Sequence, residues 1–322
     1  MKTLKGFGKV LLYILVTVLV LLVLLRLGVT IFYFDFFNNS ESEFMIPGLT
    51  SAWVPQGFDY LEEEEVYLMC GYMSDDTASR VYVRNKNGDT HYTNLLYADG
   101  TPYRKHAGGL CANGEYLYVA GDDGVDVFRL ESVLNGGDAL KIGKIVTGHD
   151  MAFCSFYNGY LLAGNFYHPE TYETPDAHRI TTPAGDANTA LITIYKANEL
   201  EEFGVEPTPV AAISIGDKVQ GICFTSQDEI VLSTSYSIPS SQLYYHRIDT
   251  ERQGTIELDG VQVPLLYLDS TTLTDTVTLP PMAEELVFRN GRVYILCESA
   301  CNKYIFGKFI RGYQVFSYSS ER

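Results

Sequence analysis

Two sixteen-residue stretches of this chain align without a gap, and this repetition constrains the fold more than any other feature of the sequence. Residues 106–121 read HAGGLCANGEYLYVAG and residues 149–164 read HDMAFCSFYNGYLLAG, so a His, a Cys and a final Ala-Gly recur at matching positions. Self-similarity at a period of about 20 to 50 residues is typical of solenoids and propellers. The chain is therefore expected to consist of repeated units.

The same register extends to five segments, which read VPQGFDY (54–60), HAGGLCA (106–112), HDMAFCS (149–155), KVQGICF (218–224) and MAEELVF (282–288). One column of this alignment holds Gly57, Gly109, Ala152, Gly221 and Glu285. The column before it holds Gln56, Gly108, Met151, Gln220 and Glu284. The spacings of 52, 43, 69 and 64 residues are uneven, as expected for a common unit with loop insertions.

Each segment opens a unit with the pattern of four antiparallel strands. A tight turn follows the first strand, and three of these turns are Asn-Gly, the strongest short hairpin signal. Repeated four-stranded units predict an all-β fold, a β-propeller of five blades, with a sixth blade possible within 165–217 or 250–280. The aligned segments would be the innermost strands, where crowding at the axis favours small residues. The last unit lacks a fourth strand, and a strand at 43–50 is expected to close the ring and remove its edges.

An apolar segment precedes the first unit and predicts a membrane anchor. Residues 10–34 are long enough to cross a bilayer as one uncleaved helix if Arg26 reaches the interface. The predicted organisation is a basic cytoplasmic tail (1–9), a transmembrane helix (10–34), a linker (35–44) and a propeller (45–322). Lysines precede the helix and acid follows it, so the positive-inside tendency places the propeller outside the cytoplasm.

Charge and cysteine usage narrow the possible partners. The net charge is −17, and the only charges before Asp35 are four cations, so the remainder is more acidic still. Such a domain repels nucleic acid, which we exclude as a partner. The six cysteines lie mostly within apolar runs, and we expect free buried thiols rather than disulfides.

The loops before the first strand and those joining strands two and three share one face of a propeller, around the mouth of its channel. These loops predict catalytic His149 and His106, with Gln56, Asp150, Gln220, Tyr167 and Glu285 binding ligand. Oxygen ligands for Ca²⁺ or Mg²⁺ would come from Asp122, Asn165, Glu284 and Glu298. A neighbouring His could then act as general base. Alternatively, these polar groups only satisfy the inner strands and channel water.

Two insertions interrupt the repeat. The aromatic insertion 166–188 is predicted to form a lid or recognition loop on the mouth face, because long loops in compact domains are usually functional. The insertion 250–270 is predicted to form a structural hairpin on the opposite face. No nucleophile elbow, phosphate-binding loop or zinc motif occurs in the sequence.

The Gln-Gly inner strands, the hairpin repeat and the closing ESACNKY resemble bacterial membrane-anchored propeller proteins of unassigned function. More distantly, residues 45–322 resemble the streptogramin lyase, gluconolactonase and NHL-type propellers. That resemblance implies a divalent cation at the channel mouth, with acidic or His partners. The matching residue types here would be Glu284 or Glu285, Glu298, Asn165, Asp122 and His149.

Two functions remain open from the sequence. The first is a binding module tethered to the bacterial cell membrane by a single span, whose mouth face engages an extracytoplasmic protein, glycan or small molecule. The second is a metal-assisted, lactonase-like lyase or hydrolase acting at the same face. Fold does not decide between them, because propellers carry both kinds of activity.

Overall fold

A computed structural model of the chain describes residues 2–319, with side chains from residue 7 onward. Met1 of the predicted cytoplasmic tail and residues 320–322 of the predicted propeller lie outside the described residues. The N-terminal elements are α1 (Lys2–Phe32), α2 (Phe34–Asn38) and β1 (Ser40–Met45). The predicted tail is thus largely helical, and the linker contains a short helix. The closing strand begins three residues before its predicted start at 43 and ends at Met45 rather than at 50.

The first two repeat units form one eight-stranded sheet with two antiparallel halves. The strands of the first half are β2 (Trp53–Leu61), β3 (Val66–Met73), β4 (Arg80–Asn85) and β5 (Thr90–Leu96). The elements of the second are β6 (Gly109–Asn113), β7 (Tyr116–Gly121), β8 (Gly124–Arg129), α3 (Leu130–Leu134) and β9 (Gly137–Val146). A parallel pairing of β5 with β9 joins the two halves.

The remaining units are three further four-stranded antiparallel groups. The third contains β10 (Phe153–Tyr157), β11 (Tyr160–Gly164), β14 (Ala190–Lys196) and β15 (Ala211–Ile215), with a small hairpin of β12 (Ile180–Thr181) and β13 (Ala187–Asn188) inserted. The fourth contains β16 (Val219–Ser226), β17 (Glu229–Thr234), β18 (Ser241–Arg247) and β21 (Leu273–Leu279), with β19 (Gln253–Leu258) and β20 (Val261–Tyr267) inserted. The fifth contains β22 (Ala283–Arg289), β23 (Arg292–Cys297) and β24 (Gln314–Ser319), completed by β1.

Strand β1 pairs antiparallel with β24, with Ser40 opposite Tyr318 and Met45 opposite Gln314. The N-terminal segment therefore supplies the fourth strand of the last group, as the sequence predicts. The two insertions add only hairpins: β19 and β20 extend the third group through a parallel contact of β20 with β15. Within residues 2–319, neither insertion forms a further four-stranded group.

The five groups close into a ring, which is the arrangement of a β-propeller. Their first strands, β2, β6, β10, β16 and β22, each contact the next, and β22 contacts β2. Separate apolar clusters fill the gaps between neighbouring groups, from Leu68 and Leu117 between the first and second to Trp53 and Leu296 between the last and the first. Each sheet buries both faces, which explains why the strands read as nearly continuous apolar runs.

Backbone crowding at the axis explains the small residues of the repeat. A Cβ on Gly57 would lie 2.6 Å from the backbone N of Leu110, and one on Gly109 would lie 2.6 Å from the Cα of Phe153. Real Cβ atoms do not approach backbone atoms so closely, so neighbouring first strands can meet only where side chains are absent. All six cysteines are buried as free thiols, as the sequence predicts.

Candidate functional site

The loops before the first strands and the loops between second and third strands surround one cavity at the mouth of the ring. Its volume is about 860 Å³, and residues from all five groups line it. Eight of the predicted site residues face this cavity: Gln56, His106, Asp122, His149, Asp150, Asn165, Gln220 and Glu298. The cavity is of the size of a site for a small molecule.

β-Bulges aim two of these side chains into the cavity. The register of β2 with β3 shifts between Pro55 and Gly57, and that of β16 with β17 shifts between Val219 and Gly221. The residues skipped are Gln56 and Gln220, which occupy the same column of the repeat and both line the cavity. A bulge re-aims a side chain that regular pairing would place in a sheet face.

Gln56 connects an imidazole and a carboxyl group at the bottom of the cavity. Its Nε2 donates to Glu298 Oε2 at 2.8 Å, and its Oε1 lies 2.5 Å from His106 Nε2. Burial lowers the pKa of His106 to about 4, so this ring is neutral at pH 7. Because an amide oxygen only accepts, His106 donates from Nε2. Burial raises the pKa of Glu298 to about 7, although the bond from Gln56 acts in the opposite direction.

A pair of imidazole rings lies on the wall formed by the third group. The rings of His149 and His178 meet edge to face with centroids 4.5 Å apart. His178 Nδ1 donates to Asn165 Oδ1 at 3.0 Å, and Asn165 Nδ2 donates to the carbonyl of Asp150 at 2.9 Å. Burial lowers the pKa of both rings, that of His178 to about 4. Among the described residues, the buried Nε2 of His149 has no hydrogen-bond partner, so the cavity wall carries an unsatisfied polar atom.

The acidic residues predicted to bind metal do not converge on one point. Asp122 forms an ion pair with Lys105. Glu284 is buried and is not among the residues that line the cavity. Burial, followed by the nearby charges of Glu298 and Glu285, raises its pKa well above the ordinary value. Within residues 2–319, no three His, Cys, Asp or Glu side chains are grouped closely enough to hold a metal ion. The donor set proposed for Ca²⁺ or Mg²⁺ therefore does not fit a cation in this arrangement.

Glu285 lies at the centre of the ring rather than in the cavity. Its Oε2 accepts the backbone N–H groups of Phe58 and Leu110 at 2.7 and 2.9 Å, and its Oε1 accepts that of Cys154 at 3.2 Å. Burial raises the pKa of Glu285 well above its ordinary value, and the backbone donors oppose that shift. This side chain joins the first strands of three groups to its own, which is a structural role.

Of the two insertions, the first lines the cavity. Phe166 and residues 171–175 line it, whereas Tyr167, a predicted ligand residue, is not among the lining residues and stacks under Arg179 at 5.1 Å. The hairpin within 250–270 exists, but its predicted position on the opposite face is wrong. A Cβ built on Gly148 would lie 3.9 Å from Asp259 Oδ1 at the hairpin tip, next to His149.

The sequence places His178 within the insertion 166–188 without a predicted role, whereas its partners belong to other segments: Asn165 follows β11, and His149 lies in the loop before β10. The aromatic rings that face the cavity from the second-to-third-strand loops, Tyr236 and Tyr304, were also missed as individual residues. The aromatic content of those loops was the available signal.

Three solved structures are similar to this chain at low sequence identity. The chain is similar to a putative oxidoreductase (glucose dehydrogenase) from Thermus thermophilus, with 13% identity over 86% of this chain and 98% of that one and a TM-score of 0.45. It is similar to a GH43_1 enzyme from Xanthomonas citri, with 10% identity, 87% and 90% coverage and a TM-score of 0.49. It is also similar to the WD40 β-propeller domain of Doa1, with 10% identity, 88% and 98% coverage and a TM-score of 0.43.

No family model matches the sequence, and no curated protein sequence matches it. The fold assignment therefore stands on the strand pairing and ring closure of this chain.

Proposed function

We propose that this protein is a membrane-tethered binding module that holds a small, uncharged, hydroxyl-rich molecule, of the sugar or polyol class, in the mouth cavity. The observation that carries the proposal is the kind of polar group that faces the cavity. Gln220 is an uncharged group that both donates and accepts hydrogen bonds, and Gln56 and His106, already bonded to each other, are uncharged as well. Sugar hydroxyls have the same dual character, so each can be matched without an ion pair.

The charges and rings around the cavity support the same ligand class. Lys105 neutralises Asp122, and the pKa of about 7 leaves Glu298 partly protonated at neutral pH. An anionic ligand would therefore meet no unpaired positive charge among these residues. The rings of Phe166, Tyr172, Tyr236 and Tyr304 line the cavity as well. Flat aromatic faces are suited to the apolar C–H surface of a sugar ring.

The proposal includes the tether and the count of blades. Phe7–Phe32 is an exposed helical segment of 26 residues with a mean hydropathy of 3.0, which at about 1.5 Å per residue exceeds the roughly 30 Å of a hydrocarbon core. We place its part before Arg26 in a bacterial cell membrane, with its lysines in the cytoplasm and the propeller outside. The five four-stranded groups are taken as five blades, the last shared between the two ends of the chain.

A metal-assisted lyase or hydrolase is less well supported. That reaction needs several ligands around one point, whereas within residues 2–319 no three His, Cys, Asp or Glu side chains are grouped closely enough to hold a metal ion. Asp122 is paired with Lys105, and Glu285 is bonded to backbone N–H groups. The binding function needs only the groups that do face the cavity.

The proposal is tested by calorimetric titration of the full chain in detergent micelles with a panel of monosaccharides, disaccharides and polyols. Gln220→Ala should weaken binding of the best ligand by about tenfold, equivalent to about 1.4 kcal/mol. The matched control is Gln262→Ala, an exposed glutamine on β20, which should bind as the unaltered chain does. Absence of saturable binding by the whole panel, or equal affinities of the two variants, would refute the proposal.

A further inference from the structure

The anchor helix is attached to the rim of the cavity. Tyr33, just after α1, shares a hydrogen bond of 2.9 Å with Ser240 Oγ, and Arg26 within α1 donates to the hydroxyl of Tyr313 at 3.2 Å. Ser240 belongs to the β17–β18 loop (235–240), and Tyr313 to the β23–β24 loop (298–313). These same two loops contribute residues 235–237, Glu298 and Tyr304 to the cavity lining.

The helix leaves the propeller at this rim. Phe36 and Phe37 of α2 pack in the cleft between the fourth and fifth groups, and Val29 of α1 packs beside them. Before Arg26, the side chains from Val10 to Leu25 are exposed and uncharged. If those residues cross a bilayer, the bilayer surface lies at the level of Arg26 and therefore at the mouth of the cavity.

The rim loops carry exposed apolar side chains. Ile238 in the first loop is 70% exposed, and Ile305 and Phe309 in the second are 53% and 42% exposed. Ile305 has a φ of +56°, an unfavourable conformation for a β-branched residue. Backbone bonds from Gly307 N to Ser299 O and from Gly312 N to Gly307 O hold this loop. The rim thus presents large apolar groups outward on an ordered backbone.

The same loop is basic in an otherwise acidic protein. Residues 302–313 contain Lys303, Lys308 and Arg311 and no acidic residue, whereas the chain as a whole has a net charge of −17. Burial, followed by the nearby charge of Arg26, lowers the pKa of Arg311. Among the described residues, neither Arg26 nor Arg311 has a carboxylate partner. Arg311 donates to Ser42 Oγ, and its guanidinium lies over the rings of Phe37 and Phe316 at 4.6 and 5.3 Å. Two adjacent arginines of this kind are suited to a phosphate group.

We propose that the rim formed by residues 235–240 and 303–313 rests on the surface of the bilayer that holds α1, so that the mouth cavity faces anionic lipid headgroups. Ile305 and Phe309 enter the interface, and Arg26 and Arg311 bind lipid phosphate. The inference rests on the proposed function, because it requires the tether. It adds that the hydroxyl-rich ligand is presented on a lipid, as a polyol or sugar headgroup.

The test is depth-dependent fluorescence quenching of the full chain in vesicles of phosphatidylcholine and phosphatidylglycerol. A fluorophore is attached at Ile305→Cys, with Phe309→Cys as a second position should the first variant fold poorly. Leu200→Cys is the matched control, since Leu200 is 95% exposed in the β14–β15 loop at the other face. Brominated lipid should quench the rim label about threefold more than the Leu200 label, as expected for a side chain about 5 to 10 Å into the boundary.

A label at Leu19→Cys, within α1, distinguishes failure of the rim inference from failure of the membrane tether. If brominated lipid quenches the Leu19 label but not the rim labels, the tether stands and the rim inference is wrong. If the Leu19 label is not quenched, the tether and the rim inference both fail. Neither result depends on whether a sugar binds, which the calorimetric titration decides.

A charge variant tests the lipid phosphates. The double change Lys308→Gln and Arg311→Gln should reduce quenching of the rim label at least about twofold in vesicles that contain phosphatidylglycerol, and little in phosphatidylcholine alone. Lys196→Gln, at the opposite face, is the control. An equal effect of both variants, or a reduction independent of phosphatidylglycerol, would overturn the assignment of the arginines.

Discussion

The Glu298 side chain lines the cavity and is almost fully buried, and its carboxyl group accepts a hydrogen bond from Gln56. Burial raises its folded pKa to about 7, above the ordinary value. The folded protein therefore binds this proton more tightly than the unfolded chain does. Its contribution to stability is fully present below the unfolded pKa and is lost as the pH rises through about 7.

We predict that the unaltered chain loses about 1 kcal/mol of unfolding free energy through Glu298 between pH 6 and pH 8. The buried histidines do not offset this loss, because the pKa values of His106 and His178 are lowered to about 4 and both rings stay neutral in this range. Glu298→Gln keeps an oxygen that accepts from Gln56 but cannot ionise. The unfolding free energy of this variant should therefore fall by about 1 kcal/mol less between pH 6 and pH 8. Urea unfolding at the two pH values measures it, with exposed Glu201→Gln as control. If the unfolding free energy of Glu298→Gln and of Glu201→Gln falls equally between the two pH values, the pKa assigned to Glu298 is wrong.

At the scale of elements, strand β1 and the short helix α2 complete the fifth group. Phe36 and Phe44 are buried, and β1 covers the edge of β24 from Ser40 to Met45. A chain that begins at Ile46 leaves this edge of β24 unpaired and exposes the two apolar clusters that contain Phe36 and Phe44. A chain that begins at Leu27 keeps the strand and both clusters.

We predict that the chain beginning at Leu27 folds and that the chain beginning at Ile46 is destabilised by at least about 5 kcal/mol, comparable to the stability of a whole domain. Circular dichroism and thermal unfolding compare the two. A matched pair of substitutions isolates the helix: Phe36→Ala should cost about 3 to 5 kcal/mol, and its exposed neighbour Phe34→Ala should cost little. Equal midpoints for the two truncated chains would show that β1 is dispensable.

The strands were predictable because their apolar runs are local: the sequence reads VYLMCGYM over residues 66–73, which form β3, and ALITIYK over residues 190–196, which form β14. Asn158 and Asn290 take the positive φ expected of Asn-Gly turns. Asn113 instead ends β6, and Gly114 is the turn residue with positive φ. The short helix α3 was missed because five residues carry no helical periodicity.

The site was only partly predictable, since its geometry depends on contacts between groups. The repeat column gave Gln56 and Gln220 because a shared bulge re-aims both. The same column gave Glu284, which is buried off the cavity, and the next gave Glu285, which bonds to backbone donors of three other strands. The pairing of His149 with His178 joins a first-strand loop to an insertion, and no spacing in the sequence encodes it.

At the scale of the whole molecule, ring closure makes each group depend on its two neighbours. First strands contact around the complete ring, and apolar clusters lie between consecutive groups. No group can open without exposing two of these clusters. The single tryptophan, Trp53, is buried in β2 between the first and fifth groups, and it reports on that part of the ring.

We predict that the propeller unfolds in one transition. A destabilising substitution far from Trp53 should therefore shift the temperature at which Trp53 fluorescence changes. Ile230→Ala, in the cluster between the third and fourth groups, should cost about 2 to 5 kcal/mol. It should lower the thermal midpoint by several degrees, equally by Trp53 fluorescence and by far-ultraviolet circular dichroism. Exposed Leu200→Ala should move neither probe. If the circular dichroism transition shifts while the Trp53 transition stays in place, the groups unfold separately and the ring does not transmit stability around its axis.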